Sequence, residues 1–453
     1  MLFDLVLAPS SVYEAIMVSQ CRGIAPYQPS CEASFVRAEL INTGSELLLG
    51  RVLNTHQQWI GKQLTEAGYE LAIQQTVPDT GSSIEVAVSG AIERSELVIV
   101  TGGLGPTDDD MTRQRIAEFL EVSLVEHQET RDRIISHFQK RNRPMPESVM
   151  VQAQVPEGST VLPNEHGTAP GLAVPTSKGW LILLPGPPRE LRPMYTAYVA
   201  PFLIEELPPT RQMVTRTIKT MGIGESLVEE CINKELSKFV AKGLEIGYCA
   251  RMGEVDVRMV AYGSSGLRLI KESEVIVRQC LEKYVFGVDE DRLEDFVVRG
   301  LTERNQTLVV AESCTGGYLA HRLTNVSGAS AVFLAGHCVY SNESKESILG
   351  LPRTALEKGA VSQSVAREMA ERIRVLHEAD YALATTGIAG PTGGTEEKPV
   401  GTVYIAISTA QGTRVIKEFN SCDRETFKYV TSQQALNLIR REWHKKTRHS
   451  GGL

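Results

Sequence analysis

The sequence predicts an α/β protein with two three-layer domains, each on a parallel or mixed sheet, joined by a small α+β domain. At 453 residues the chain is too long for one hydrophobic core. Apolar strand-like runs alternate with helical segments from residue 37 onward, and again from residue 291. The expected divisions are an N-terminal extension at 1–36 and domains at 37–205, 206–290 and 291–453.

The first α/β domain opens with AELINTG (38–44), a short apolar strand that runs into a glycine turn. Asn54 or Thr55 is expected to cap the next helix, and Gly68 to end it. ELVIVTGGLGP (96–106) predicts a strand that enters a glycine-rich loop. The other segments predicted here are a strand at 69–77 and a buried helix at 84–92.

The remaining two domains carry their own patterns. VAREMAERIRVLHEA (365–379) has apolar residues at helical spacing, whereas GTVYIAIST (401–409) alternates as a strand does. The other predicted strands are 214–222, 244–250, 255–263, 306–311 and 381–387, and the other predicted helices are 226–240 and 317–326.

Composition excludes several classes of protein. The 47 basic and 55 acidic residues give a net charge of −8, so no general attraction to nucleic acid is expected. None of the eight cysteines forms a CxxC pair, which argues against structural zinc and favours reduced thiols. No apolar run has the length of a membrane span, and the N-terminus lacks the basic start of a secretory signal. A cytoplasmic protein without nucleic-acid or membrane partners is expected.

AESCTGG (311–317) lies where a buried strand turns into a helix. A nucleophile at Ser313 would be exposed at the sheet edge, where nearby amides can receive an oxyanion or a phosphate. Gly316 and Gly317 allow close approach of the backbone to a ligand. The alternative is a tight turn in which Ser313 only caps the helix.

VYSNESK (339–345) places Tyr340 at the end of a strand and Lys345 in the first turn of a helix that Ser341 or Asn342 caps. A partly desolvated lysine can act as the base for a serine, and a tyrosine can relay the proton. The helix dipole does not favour a lysine there, which supports a functional role. The alternative is a pair of solvated surface residues.

Two further segments are rich in ligand-binding signals. The glycine-rich stretch 385–402 follows a strand and predicts a loop that binds phosphate or ribose, or a plain surface crossover. In TGGLGPTDDDMTR (101–113), Asp108, Asp109 and Asp110 are expected at a helix start. There they either complement the helix dipole or hold a divalent ion.

AESCTGG, YSNESK and TGIAGPTGG with EKPVGT follow one another over about 300–440 and together resemble the C-terminal domain of the CinA family, the nicotinamide mononucleotide deamidases. The resemblance implies a catalytic set of Ser313, Tyr340 and Lys345 that needs no cofactor. It also implies a phosphate contact through Arg424, although Cys422 stands where the family has glycine. The substrate-binding residues that it implies are Thr315, Gly316, Gly317, Thr386, Gly387, Gly390, Pro391, Gly393, Gly394 and Arg424.

GSELLLG (44–50), TGGLGPTDDD, PNEHGTAPG and LLPGPPREL resemble the molybdopterin-binding-like N-terminal domain of the same family, which is associated with ADP-ribose pyrophosphatase activity. His56 and Pro78 depart from the family's usual residues. A divalent metal ion is expected at Asp108, Asp109 and Asp110, and Glu190 is either a further ligand or a surface carboxylate. The ligand-binding residues expected are Gly44, Glu46, Asn54, Thr101, Gly102, Gly103, Asp108, Asn164, Gly167 and Gly186.

These observations leave three hypotheses about function. The first is a homodimeric hydrolase of pyridine-nucleotide salvage that both deamidates nicotinamide mononucleotide and cleaves ADP-ribose. The second keeps only one of those activities. The third is a non-catalytic nucleotide- or molybdopterin-binding protein, or an interaction protein associated with competence. The Ser313, Tyr340 and Lys345 set favours an enzyme, because a pure binder has no need of a nucleophile with a base.

Overall fold

The structure, a computed structural model, describes residues 35–357 and 359–450, with no side-chain description beyond His444. The expected extension at 1–36 lies outside the described residues except for its last two. The chain divides into two compact units whose main boundary lies between Arg211 and Gln212, with the short segment Thr65–Ala67 grouped with the second unit. No helix within the described ranges has the length and apolar character needed to span a membrane.

The first unit contains eight strands and seven α-helices in the part of it that is described. They are β1 (Arg37–Thr43), α1 (Ser45–Leu48), α2 (Thr55–Ala67), β2 (Glu70–Val77), α3 (Gly81–Arg94), β3 (Leu97–Thr101), α4 (Thr112–Phe119), β4 (Leu124–Glu126), α5 (Gln128–Lys140), β5 (Gln154–Pro156), β6 (Thr160–Leu162), β7 (Gly171–Pro175), β8 (Trp180–Leu184), α6 (Pro188–Met194) and α7 (Ala200–Glu206).

A mixed six-stranded sheet organises the first unit in the order β2-β1-β3-β8-β7-β6. The pairs among β2, β1, β3 and β8 are parallel, and β7 and β6 complete the sheet antiparallel. Every residue of β3 is buried, which its apolar sequence requires of a central strand. Ile60 of α2 packs in the core on one face, and Ile84 of α3 packs in the core on the other. The result is the expected three-layer domain.

The second unit begins with a smaller sheet. Strands β9 (Met213–Met221), β10 (Glu245–Arg251), β11 (Glu254–Tyr262) and β12 (Val285–Val288) pair antiparallel in the order β10-β11-β9-β12. Helices α8 (Glu225–Val240) and α9 (Gly266–Cys280) bury their apolar faces against it. This α+β arrangement agrees with the pattern seen in the sequence, which had not revealed α9 or β12.

The rest of the second unit is a second three-layer α/β structure. Its mixed sheet has the order β14-β13-β15-β16-β17, with β13 parallel to both neighbours and the β15-β16 and β16-β17 pairs antiparallel. Its elements are α10 (Leu293–Arg304), β13 (Leu308–Glu312), α11 (Tyr318–Thr324), β14 (Phe333–Cys338), α12 (Asn342–Leu349), α13 (Arg353–Glu357), α14 (Gln363–Leu376), β15 (Tyr381–Gly387), β16 (Thr402–Thr409), β17 (Gly412–Phe419) and α15 (Arg424–Ser450).

Candidate functional site

The carboxyl ends of three parallel strands meet at one edge of the second α/β sheet. Glu312 at the end of β13 is in register with Cys338 of β14 and with Thr385 of β15. Ser313 directly follows β13, and Tyr340 lies two residues after β14. Side chains that leave neighbouring strand ends form the usual ligand crevice of an open α/β sheet.

The turn after β13 fixes Ser313 at the boundary of the core, where it is 8% exposed. Its amide donates to Thr385 O at 3.0 Å, and its own carbonyl accepts from the amide of Gly316 at 3.1 Å. The hydroxyls of Thr315 and Thr385 are 2.8 Å apart. Within the described ranges, the amides of Thr315 and Gly317 have no hydrogen-bond acceptor. Thr315 is fully buried, so of these two amides only that of the partly exposed Gly317 can receive an oxyanion from a bound substrate.

Glu312 is a functional residue of this turn that the sequence reasoning missed. Its side chain is buried, and its two carboxylate oxygens accept from the amides of Leu319 at 3.0 Å and Ala320 at 2.7 Å. The carboxylate thus caps α11, so the alternative in which Ser313 is the cap is wrong. The sequence did contain a signal for this role, because Glu312 ends an otherwise apolar strand. A carboxylate in such a place is rarely buried unless it has a hydrogen-bond or ion-pair partner.

Lys345 is buried, with 1% of its surface exposed, although α12 begins only three residues earlier. Its Nζ donates to Tyr340 O at 3.1 Å and to Ser341 O at 3.4 Å. No carboxylate of the described residues lies within 4 Å of this nitrogen. Burial lowers the pKa of Lys345. Lys345 is therefore not a solvated surface residue, and its environment favours the neutral amine.

Tyr340 and Arg424 form a direct contact at the outer side of the site. Tyr340 is 57% exposed, and its hydroxyl accepts from the Arg424 guanidinium at 2.6 Å. The same guanidinium donates to Gly390 O at 2.9 Å. The hydroxyl of Tyr340 thus bonds Arg424, whereas Lys345 contacts the carbonyl of Tyr340. Cys422 has no positive φ, so its replacement of the family's glycine causes no backbone strain.

The glycine-rich segment after β15 closes this edge of the sheet. Thr386 is buried and donates to Ala360 O at 2.9 Å, which anchors the start of the loop. Gly390 has φ +77, and a Cβ there would come within 2.5 Å of the Val400 side chain, so the turn requires glycine. Gly387 pairs with Val403 at the end of β15. The predicted residues that lie exposed in the loop are Pro391, Gly393 and Gly394.

The first unit has a cavity of about 420 Å³ next to the ends of β1, β3 and β8, which we call the acidic cavity. Four predicted glycines line it, and five carboxylates from separate segments surround it. The glycines are Gly44, Gly102, Gly103 and Gly186, and the carboxylates are Glu46, Asp79, Asp109, Asp110 and Glu190.

The aspartate run lies before the helix that was expected to contain it, because α4 begins at Thr112. Asp110 accepts from the amide of Thr107 at 3.1 Å and from its hydroxyl at 2.6 Å, which closes the turn. Among the described residues, no three His, Cys, Asp or Glu side chains converge as a metal-binding group. Magnesium-like ions need fewer: one or two carboxylates, with substrate phosphates and water as the other ligands.

A second cavity of about 790 Å³ adjoins the acidic cavity, since Thr168 lines both. Asn164 and Gly167, two predicted ligand residues, line this second cavity rather than the acidic one. The Asn164 amide nitrogen donates to Ala169 O at 2.8 Å and to Glu190 Oε2 at 2.9 Å. Asn164 therefore joins the loop of the second cavity to a carboxylate of the first.

Three predicted ligand residues lie outside the lining of both cavities. Asn54 caps α2, with its Oδ1 accepting from the amide of His56 at 3.1 Å. Thr101 is buried, and its hydroxyl accepts from Asn42 Nδ2 at 2.6 Å. Asp108 is absent from the lining that includes its neighbour Asp109. Sequence reasoning passed over Asp79, which lines the acidic cavity and whose Oδ2 accepts from the amide of Ser45 at 2.8 Å.

Comparisons with known proteins match this arrangement along most of the chain. Residues 39–205 match the family described as a probable molybdopterin binding domain, residues 215–287 the damage-inducible protein CinA KH domain, and residues 290–443 the CinA C-terminal domain. A protein of Agrobacterium tumefaciens, whose crystal structure is titled competence/damage inducible protein CihA, is 35% identical over 32% of this chain and 91% of its own, with a TM-score of 0.32.

Full-length relatives give the decisive comparison. A protein of Thermoanaerobacter pseudethanolicus, named as competence-damage inducible, is 42% identical over 90% of this chain and 98% of its own length. A CinA-like protein of Akkermansia muciniphila is 42% identical over 88% of this chain and 96% of its own. With such identity over nearly the whole length of these relatives, the chain belongs to the CinA family.

Proposed function

We propose that the region from residue 291 onward hydrolyses the carboxamide of nicotinamide mononucleotide to nicotinic acid mononucleotide and ammonia. The observation that carries this proposal is the environment of Lys345, a buried amine with two carbonyl acceptors and no carboxylate partner. Burying a lysine as a cation is costly, so burial favours loss of its proton, and the resulting neutral amine can act as a general base. Ser313 supplies the nucleophile; it directly follows β13, which pairs with the strand that leads to Tyr340 and Lys345.

The mechanism uses side chains and amides of this chain. The amine of Lys345, in its neutral form, accepts the Ser313 proton as Oγ forms a bond to the carboxamide carbon, while the hydroxyl of Tyr340 stays bonded to Arg424. The amide of Gly317 receives the oxyanion, and loss of such a donor typically costs about 3–4 kcal/mol in the transition state. The C–N bond breaks with protonation of the leaving ammonia, and water then hydrolyses the acyl-serine.

The direct test is ammonia release from nicotinamide mononucleotide by the purified full chain, with the nucleotide product identified and a chelator present or absent. We expect stoichiometric ammonia and nicotinic acid mononucleotide, at a rate that the chelator does not change. A well-folded chain that releases no ammonia would remove the deamidase proposal and leave the first unit, or a binding role, as the better account.

A second activity, metal-dependent cleavage of ADP-ribose, is proposed for the first unit. Its support is the acidic cavity, in which five carboxylates and four glycines face a shared space. Hard oxygen donors suit a divalent ion, and an ion there would offset the charge of a pyrophosphate. A purely binding domain, for molybdopterin or a nucleotide, remains the alternative. Release of AMP from ADP-ribose distinguishes the two.

The acidic cavity predicts different effects for two adjacent aspartates. Asp109 lines it and Asp108 does not, so Asp109→Asn is expected to lower metal-stimulated AMP release at least about 10-fold, and Asp108→Asn to leave it nearly unchanged. Initial rates over a Mg²⁺ or Mn²⁺ titration would measure both. Equal losses in the two variants would contradict the placement of the metal at this cavity.

A further inference from the structure

Helix α15 presents two cations to the candidate deamidase site, and only one of them belongs to the family motif. Arg424 and Lys428 are four residues apart, so they lie on the same face of the helix. Arg424 is already engaged by Tyr340 and Gly390. Lys428 has no role in the mechanism above.

Lys428 reaches over the turn that carries the nucleophile. Its Nζ lies 3.8 Å from the point that a Cβ on Gly316 would occupy, and 5.8 Å from the centre of the Tyr318 ring. Burial raises the pKa of the Cys338 thiol at the end of β14, and the nearby ammonium of Lys428 opposes that shift. Lys428 is partly exposed, and no carboxylate of the described residues lies within 4 Å of its ammonium. Within the described ranges it is therefore a cation without an ion-pair partner, next to the turn that carries Ser313.

A phosphate near this turn has few main-chain donors to bind. Glu312 already accepts from the amides of Leu319 and Ala320 at the start of α11. The carboxylate would also repel an anion placed there. Side-chain cations must therefore provide most of the attraction for a negatively charged substrate group. Hydrogen bonds from a cationic side chain to a phosphate are stronger than hydrogen bonds between neutral groups.

We propose that Lys428 is the second cation that holds the 5′-phosphate of the substrate, together with Arg424, and so selects mononucleotides over nucleosides. This inference rests on the proposed deamidation. Arg424 approaches from the side of Gly390 and Tyr340, and Lys428 from the side of Gly316.

The test compares Lys428→Met with the unaltered chain on nicotinamide mononucleotide, with inorganic phosphate as a competitive inhibitor. We expect kcat/KM to fall roughly 10- to 100-fold through KM, kcat to change little, and the inhibition constant of phosphate to rise in parallel. Lys428→Arg should restore most of the affinity. Lys417→Met is the matched control, because Lys417 also lies over a tyrosine ring, that of Tyr404, at 5.9 Å.

The outcomes separate this inference from the function on which it rests. Absence of deamidation by the unaltered chain would overturn the proposed function. Deamidation with an unchanged KM in Lys428→Met, or a loss confined to kcat, would overturn the role of Lys428 alone. A rise in KM without weaker inhibition by phosphate would also count against it, because that pattern indicates a structural change rather than a lost phosphate contact.

Discussion

Replacement of Ser313 by alanine is expected to lower kcat for nicotinamide mononucleotide by more than about 10³-fold, with the fold retained. The hydroxyl is the only group of this side chain that can bond covalently to the carboxamide carbon. The turn itself is fixed by main-chain bonds of Ser313 to Thr385 and Gly316, which alanine keeps. Ammonia release under saturating substrate, with circular dichroism to monitor folding, would measure the effect.

The neighbouring cysteine provides the control for this experiment. Cys314 is buried in the apolar core, and burial raises the pKa of its thiol to about 12, so it stays protonated and unreactive near neutral pH. Cys314→Ala should therefore keep most of the kcat. Residual activity in Ser313→Ala together with a large loss in Cys314→Ala would show that the nucleophile was assigned to the wrong residue.

Buried strands and amphipathic helices could be predicted from the sequence because their patterns are local. The strand β3 is apolar up to its last residue, Thr101, and is fully buried. Strand β17 carries charged residues and lies at the edge of its sheet, so its alternation of apolar and polar residues is weak. Helix α15 was missed although Phe427 and Leu436 lie in the core. This helix also buries Arg440. A charged residue on the face that packs against the core interrupts the helical spacing of apolar residues from which a helix is predicted.

Residue types at the candidate site could also be predicted, but not how they are paired. The motifs located Ser313 just beyond a predicted strand and Lys345 in the first turn of a predicted helix. The contact of Arg424 with Tyr340 joins residues 84 positions apart, and it depends on how β14 and α15 meet the same sheet edge. Burial of Lys345 likewise follows from packing of α12 rather than from any local signal.

Replacement of Lys345 by methionine is expected to lower kcat by roughly 10²- to 10⁴-fold, because methionine fills the space but accepts no proton. Burial lowers the pKa of Lys345, so wild-type kcat should rise with pH through that lowered pKa, as the neutral amine forms. The variant should lack this rise. The pH dependence of kcat in both proteins, with Lys417→Met as an exposed-lysine control, measures the difference.

The same variant should not destabilise the protein, which separates a catalytic role from a structural one. Because the pKa of Lys345 is lower in the folded protein than the ordinary 10.5, the unfolded chain binds more protons between those two values. Wild-type stability therefore rises with pH across that window, and burial of the amine costs stability below it. Lys345→Met should thus be at least as stable as the wild type at neutral pH, with an advantage that shrinks towards pH 10.5. Urea unfolding of both proteins at neutral and alkaline pH measures this difference in stability. If Lys345→Met were clearly less stable than the wild type, Lys345 would be a structural residue, and the variant's loss of activity would not be evidence for proton transfer.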